Sequence, residues 1–273
     1  MAQDCNHQCE GCSRDCGDRK NTFLVPPREG VRVRRVIAVE SGKGGVGKSL
    51  VTCLLAAGLN RRGHRVGVLD GDITGPSIPR AFGLSGKAES DDNGLFPMET
   101  GTGIRVMSTN LLLDTDTRPV IWRGPVIAGL VRSFWTDVAW GELDFLLVDM
   151  PPGTGDVPLT VFQSLPVAGT VLVTTPQTMV GMIVEKAAAM TARMGIPILG
   201  LVENESFYRC PECGTVHYIF GDSHPETWAA DHGVPRVCRL PIRAAFAAAM
   251  DAGTVQALDA PELAGLLDDL EAL

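Results

Sequence analysis

The chain has 273 residues, 45% hydrophobic and 21% charged, with a formal net charge of -8. This length suits one large α/β domain with small appendages. The composition excludes a disordered chain, the short apolar runs exclude membrane-spanning helices of roughly 20 residues, and the acidic balance argues against sequence-independent nucleic-acid binding, which needs cations to neutralise phosphates.

Residues 1–20 carry four of the eight cysteines and almost no large apolar side chains, so a bound metal would have to order them. Cys5, Cys9, Cys12 and Cys16, spaced C-x3-C-x2-C-x3-C, are a complete set of four thiolates for one 4Fe-4S cluster or one zinc. His7 within the set reads as a solvent-exposed spectator. The start, Met1-Ala2-Gln3-Asp4-Cys5, lacks the basic and apolar regions of a signal peptide, which points to the cytoplasm. Thiols stay reduced there, so closely paired cysteines read as metal ligands before disulfides. Residues 21–30, with Pro26-Pro27 and Gly30, form an expected linker to the main domain over residues 31–273.

From Val31 onward, β-branched runs alternate with helical patterns. Strands are expected at Val36–Val39, Val66–Leu69, Ile104–Met107, Phe145–Val148, Thr170–Thr174 and Ile198–Val202. Helices are expected at Lys48–Asn60, Pro125–Thr136, Val180–Met194 and Ile242–Met250. That alternation predicts an α/β fold, a mostly parallel sheet flanked by helices on both faces. The polar, glycine-rich Ser85–Gly103 reads as a mobile surface excursion. Pro261–Leu273 reads as a short amphipathic helix whose acidic face is solvated.

The chemistry concentrates after the first strand. Gly42, Lys43, Gly44, Gly45, Val46, Gly47, Lys48 and Ser49 form a glycine-rich loop between a strand and a helix. Such glycines let backbone N–H groups converge on a phosphate chain. Lys48 then offers its charge to the β- and γ-phosphates of ATP, Ser49 its hydroxyl to magnesium, and the helix its positive end. The apolar Leu146-Leu147-Val148 run ends in Asp149, placed to hold a magnesium-bound water, and the following Pro151–Asp156 loop suits a γ-phosphate sensor. A second strand ends in Asp70-Gly71-Asp72, where Asp72 either orients the attacking water or caps a turn.

Lys43 in this loop, with Asp70–Ser77, Trp122–Pro125, Asp149–Asp156, Thr175–Gln177 and Val202–Asn204, resembles the Mrp-type iron-sulfur cluster carriers. These are relatives of the nitrogenase iron protein and the Min and partition ATPases with a deviant Walker A loop, and the resemblance covers roughly residues 31–253. It implies a homodimer in which Lys43 of one subunit reaches the phosphates held by the other, with Asn204 reading the adenine edge. It also implies slow ATP hydrolysis and apo iron-sulfur proteins as clients; the acidic balance and the acidic last helix argue against nucleic acid or membrane as partners.

Cys210-Pro211-Glu212-Cys213-Gly214 is a C-x2-C knuckle with two of the four ligands a cluster or zinc needs. His217, another cysteine or a second subunit must supply the rest; the resemblance implies a 4Fe-4S cluster bridging the dimer. The amino-terminal four resemble the extra segment of the eukaryotic scaffolds, whose first spacing is longer. Glu205, where methionine is frequent in the family, and Asp222-Ser223-His224, where a glycine run is usual, are departures that flank the knuckle and bear on how it moves. Cys53 and Cys238 read as small buried hydrophobes. The competing readings are a Min- or partition-type spatial organiser, which gives the cysteines no role, and a zinc-stabilised nucleotide switch.

Overall fold

The computed structural model describes residues 23–73, 75, 77–91, 94–112, 124–177 and 182–273. The Cys5, Cys9, Cys12 and Cys16 segment therefore lies outside the described residues. In chain order the strands are β1 (Arg32–Ser41), β2 (Val66–Asp70), β3 (Ser90–Asp91), β4 (Gly94–Leu95), β5 (Met98–Glu99), β6 (Arg105–Met107), β7 (Glu142–Asp149), β8 (Val167–Thr174), β9 (Ile198–Arg209), β10 (Val216–His217) and β11 (Val237–Pro241). The helices are α1 (Lys48–Arg61), α2 (Ile78–Ala81), α3 (Gly124–Thr136), α4 (Asp156–Ser164), α5 (Met182–Arg193), α6 (Pro225–Asp231), α7 (Ala244–Ala252) and α8 (Ala264–Glu271).

The main sheet runs β10-β9-β8-β1-β7-β2-β6-β5, with β11 on the other side of β9. Its long strands pair in parallel, while β5 and β10 add antiparallel to β6 and β9. Strand β1 is central, and its side chains alternate between two cores. Ile37 and Val39 pack with Val51, Leu54 and Leu55 of α1 on one face; Val36 and Ala38 pack with Phe134, Trp135 and Phe162 of α3 and α4 on the other. Burial on both faces is why these strands read as continuous apolar runs. It also brings the carboxyl ends of β1, β2 and β7 to one edge, where an open α/β sheet builds its ligand crevice.

The expected strands and helices are present, several of them longer than their apolar runs. Ser85–Gly103 differs from its expectation. It contains the β3–β4 hairpin and β5, whose Met98 and Glu99 pair with Val106 and Arg105, so the excursion covers the sheet edge. Strand β11 and helices α2, α4 and α6 were not foreseen. They are short, and β11 carries Arg239 and Pro241 inside its run. At the carboxyl end, Leu266, Leu267 and Leu270 of α8 are buried against α1 and the sheet. The acidic face of α8 pairs with basic side chains: Arg62 with Asp268 and Glu271 at 2.8 and 2.7 Å, and Arg236 with Asp269 at 2.7 Å. Ahead of β1, Val25 docks on the domain: its N–H donates to Ser164 O at 2.9 Å, and its carbonyl accepts from Trp135 Nε1 at 2.8 Å.

Candidate nucleotide site and cysteine arm

The glycine-rich loop joins β1 to α1 at the edge where β2 and β7 also end. Gly45 and Gly47 have φ of 79° and 81°, a left-handed conformation that side chains resist. Gly47 is constrained twice, because a Cβ there would lie 2.2 Å from Asn204 Nδ2. Asn204 donates that same nitrogen to Val46 O at 3.0 Å, so β9 touches the loop directly.

Lys48, Ser49 and Asp149 converge beneath the loop. Lys48 Nζ lies 2.7 Å from Asp149 Oδ1, with the two side chains 6% and 0% exposed. Ser49 Oγ donates to Asp149 Oδ2 at 2.6 Å and Thr52 Oγ1 to Asp149 Oδ1 at 2.7 Å. The carboxylate is thus fully engaged, as a buried charge requires. Asp70 sits directly across the β2–β7 register from Asp149. Burial, then the neighbouring Asp149 charge, pushes the Asp70 carboxyl well above its ordinary range, and Lys48 only partly offsets this.

Asp72 is half-buried; its N–H donates to Asp70 Oδ1 at 3.1 Å, and its side chain borders a cavity of about 260 Å³ with Gly44, Lys48 and Ser49. Gly42 completes the loop, and Lys43 projects exposed from its lip, held at its carbonyl by Ser41 Oγ at 3.0 Å. The loop after Asp149 is tied to β1, with Met150 N–H on Val39 O and Gly153 N–H on Ser41 O. A second cavity of about 480 Å³ opens beside the first, lined by Asn204, Tyr208, Ile242, Arg243 and Phe246. Backbone donors, a lysine, a hydroxyl and hard carboxylate oxygens at one end, with a mostly apolar cavity at the other, fit a nucleotide with its magnesium ion.

Two buried carboxylates escaped the sequence reading. Glu40, at the end of β1, is fully buried and neither of its oxygens has a hydrogen-bond partner; burial pushes its pKa up to about 8. Its signal was a lone glutamate inside Val36-Ile37-Ala38-Val39-Glu40-Ser41. Glu203 is also fully buried, and its Oε2 accepts from Ser206 Oγ at 2.5 Å and Ser223 Oγ at 2.8 Å. The expected strand stopped one residue before it.

Strand β9 continues past Asn204 to Arg209 and leads out into the cysteine knuckle. Cys210 N–H donates to Thr215 O and Gly214 N–H to Cys210 O, both at 2.9 Å, with Gly214 at φ 72° and β10 returning antiparallel. Cys210 is half-buried and Cys213 exposed. Hydrogen bonds from Thr215, side chain and then backbone, lower the Cys213 pKa, which favours a thiolate. Among the described residues no three histidine, cysteine, aspartate or glutamate side chains gather as a metal site, so His217 does not complete the pair. Tyr208, Tyr218, Ile219 and Phe220 are exposed around it. Cys53 and Cys238 are buried, and burial raises both thiols, Cys238 to about 11, as inert core residues.

A family model for ParA-type proteins, described as the NUBPL iron-transfer P-loop NTPase, matches residues 32–268. The chain belongs to this family. The iron-sulfur cluster carrier protein of Methanococcus maripaludis is 43% identical over 261 residues, covering 93% of this chain and 90% of that one. The carrier protein of Clostridium perfringens is 42% identical over 260 residues, covering 91% and 90%. A nucleotide-binding protein from Archaeoglobus fulgidus, solved in complex with ADP, aligns with a TM-score of 0.77 at 43% identity over 85% of this chain and 91% of that one. The cell-division ATPase MinD of Pyrococcus furiosus aligns with a TM-score of 0.64 at 21% identity over 88% of this chain and 99% of that one, a likeness of fold. The Mrp-type resemblance and the parallel, helix-flanked sheet both stand. No helix among the described residues is long and apolar enough to cross a membrane.

Proposed function

We propose that this protein is an ATP-dependent iron-sulfur cluster carrier acting as a homodimer in the cytoplasm. The observation that carries this reading is on β9: one strand holds Asn204 against the phosphate loop and, six residues on, presents Cys210 and Cys213 on an exposed hairpin. Two thiols are half a tetrahedral or cluster ligand set. The cargo, a 4Fe-4S cluster, would be shared by Cys210 and Cys213 of two copies and passed to apo iron-sulfur proteins. The relatives that carry the name of cluster carrier, at over 40% identity across most of the chain, support this cargo.

Midway along β9, Asn204 and the apolar cavity beside it would take the adenine, and the loop from Gly42 to Ser49 the phosphates. Lys48 would exchange Asp149 for the γ-phosphate, and Lys43 would reach the phosphates of the second copy. Magnesium, held by the Ser49 hydroxyl with Asp149 beside it, would neutralise charge on the β- and γ-phosphates. Hydrolysis forms a bond from water oxygen to the γ-phosphorus as the bridge to the β-phosphate breaks, with Asp72 orienting the water and Lys48 and Lys43 facing the developing charge. Cys5, Cys9, Cys12 and Cys16 would hold a second 4Fe-4S cluster.

The test is the iron, sulfide and zinc content of anaerobically purified wild type, a Cys210→Ala/Cys213→Ala variant and a form lacking residues 1–20. Iron and sulfide lost in two separate portions are expected. Zinc in their place, or no metal in any sample, would overturn the carrier reading.

A further inference from the structure

The knuckle lies on an exposed excursion, and its return into the fold is specific. Residues 208–222 are exposed apart from Cys210 and Val216, and Ser223 and Pro225 are then buried. Ser223 re-enters by donating its hydroxyl to Glu203 Oε2 at 2.8 Å. Its carbonyl accepts from Arg239 Nη2 at 2.9 Å, and Arg239 stands directly opposite Glu203 in the β9–β11 register. The same Glu203 oxygen accepts from Ser206 at 2.5 Å, on the strand leading out. One buried carboxylate therefore ties the outgoing and returning chains of the cysteine arm together at its base.

That carboxylate is also the neighbour of Asn204. Between Glu203 and Phe207, β9 uses four residue steps where β11 uses two, from Arg239 to Pro241. Glu205 lies inside this bulge at φ 55°, a left-handed conformation that a glutamate adopts at a cost. The bulge lets Asn204 reach Val46 O while Ser206 folds back on Glu203. Glu203 Oε1 is buried with no hydrogen-bond partner, so the carboxylate is held by one oxygen and the tie is only half satisfied.

We infer that Glu203 is the positioning residue that couples nucleotide binding to the cysteine arm: Asn204 senses occupancy of the loop, the bulge at residues 204–206 shifts, and the Glu203–Ser223 bond moves the base of the arm. The inference rests on the nucleotide site of the proposed function and not on the identity of the cargo. A bistable bulge biased from both ends is the physical element such coupling needs.

The experiment is peptide-resolved alkylation of Cys210 and Cys213 in the reduced, metal-free full chain, with and without saturating Mg-ATP, for wild type, Glu203→Gln and Ser223→Ala. ATP affinity is measured on the same samples. ATP is expected to change the alkylation rate of the wild-type pair by roughly tenfold, the size of one charge-assisted hydrogen bond. In both variants the ratio falls close to one while ATP still binds as in wild type, a split that a purely structural residue would not produce. If Glu203→Gln does not fold, Ser223→Ala, which leaves β9 intact, decides alone. An ATP effect as large in the folded variants as in wild type overturns the inference, as does a wild-type pair indifferent to ATP. Loss of the carrier reading through zinc or absent iron would leave this measurement unaffected.

Discussion

The stretch of β9 from Asn204 to the knuckle joins two ends built on opposite principles. At the phosphate loop, Lys48, Ser49, Thr52 and Asp149 are buried or half-buried and satisfy one another within a single chain. At the knuckle, Cys213 is exposed, its thiol bonds Thr215 two residues on, and no third ligand stands near among the described residues. A site that must bind and hydrolyse the same small molecule repeatedly gains from a preorganised, water-poor frame. A site that must give up its cargo gains from being incomplete until a partner arrives. The contrast predicts that substitutions at the first end damage the fold together with the activity, and that substitutions at the second damage only the cargo.

The largest effect is expected from Lys48→Ala. It removes the cation facing the γ-phosphate and leaves Asp149 buried without its counter-charge beside Asp70. ATP hydrolysis should fall by on the order of 100-fold or more, and the empty protein should lose about 3 kcal/mol of stability, the usual result of breaking a buried pair. Hydrolysis assays and urea melts on one preparation read both. Unchanged stability would mean that the loop end is less self-contained than its geometry implies.

The next effect lies in pH dependence and concerns Glu40. Its folded pKa is raised to about 8 from an ordinary 4.5. The sign follows from linkage: a raised folded pKa contributes stability that is complete below pH 4.5 and is lost as the pH climbs through 8. Glu40→Gln cannot ionise, so relative to it the wild type should lose on the order of 3 kcal/mol between pH 5 and pH 8. Parallel urea midpoints for the two proteins across that range would remove Glu40 as a titrating core group.

Glu40 also marks where the sequence stops being readable. The phosphate loop is legible because its mechanism demands glycines followed by lysine and serine after a strand, and Asp149 because it ends an apolar run. The folded chain brings Gly45, Gly47, Lys48, Ser49, Asp72 and Asp149 to one edge. Glu40 reads as an ordinary strand end, and nothing local marks it as buried, since its register partner is Leu172 of β8, far away in sequence. The run Glu203-Asn204-Glu205 likewise looks like the polar end of a strand. Its burial depends on Ser206 and on Ser223, 20 residues downstream of Glu203, and on the pairing of β11, whose short Val-Cys-Arg-Leu run gives little strand signal. Local pattern reveals motifs; it does not reveal which polar side chains a distant segment will cover.

A smaller effect belongs to Asn204, the residue linking the two ends. Asn204→Ala deletes the bond to Val46 O and the polar edge of the apolar cavity, leaving the phosphate contacts in place. ATP should bind roughly three- to tenfold more weakly, the size of one neutral hydrogen bond, with GTP affected less. An equal loss for both nucleotides by calorimetry would assign Asn204 to holding the loop and not to the base.

The smallest effect tests the unfinished end most sharply. The Cys213 side chain is exposed and contacts its own hairpin, whose backbone bonds from Cys210 to Thr215 and from Gly214 to Cys210 do not involve the thiol. Cys213→Ser should therefore change the stability of metal-free protein by under about 0.5 kcal/mol, as expected for a surface substitution away from special features. The same substitution should abolish iron retention at this pair, since an alcohol is a poor ligand where a thiolate is required. A drop of several degrees in the melting temperature of wild type on chelation, matched by Cys213→Ser, would instead mean that metal at the knuckle supports the fold. Zinc in place of iron in those samples would then make the arm a structural zinc site.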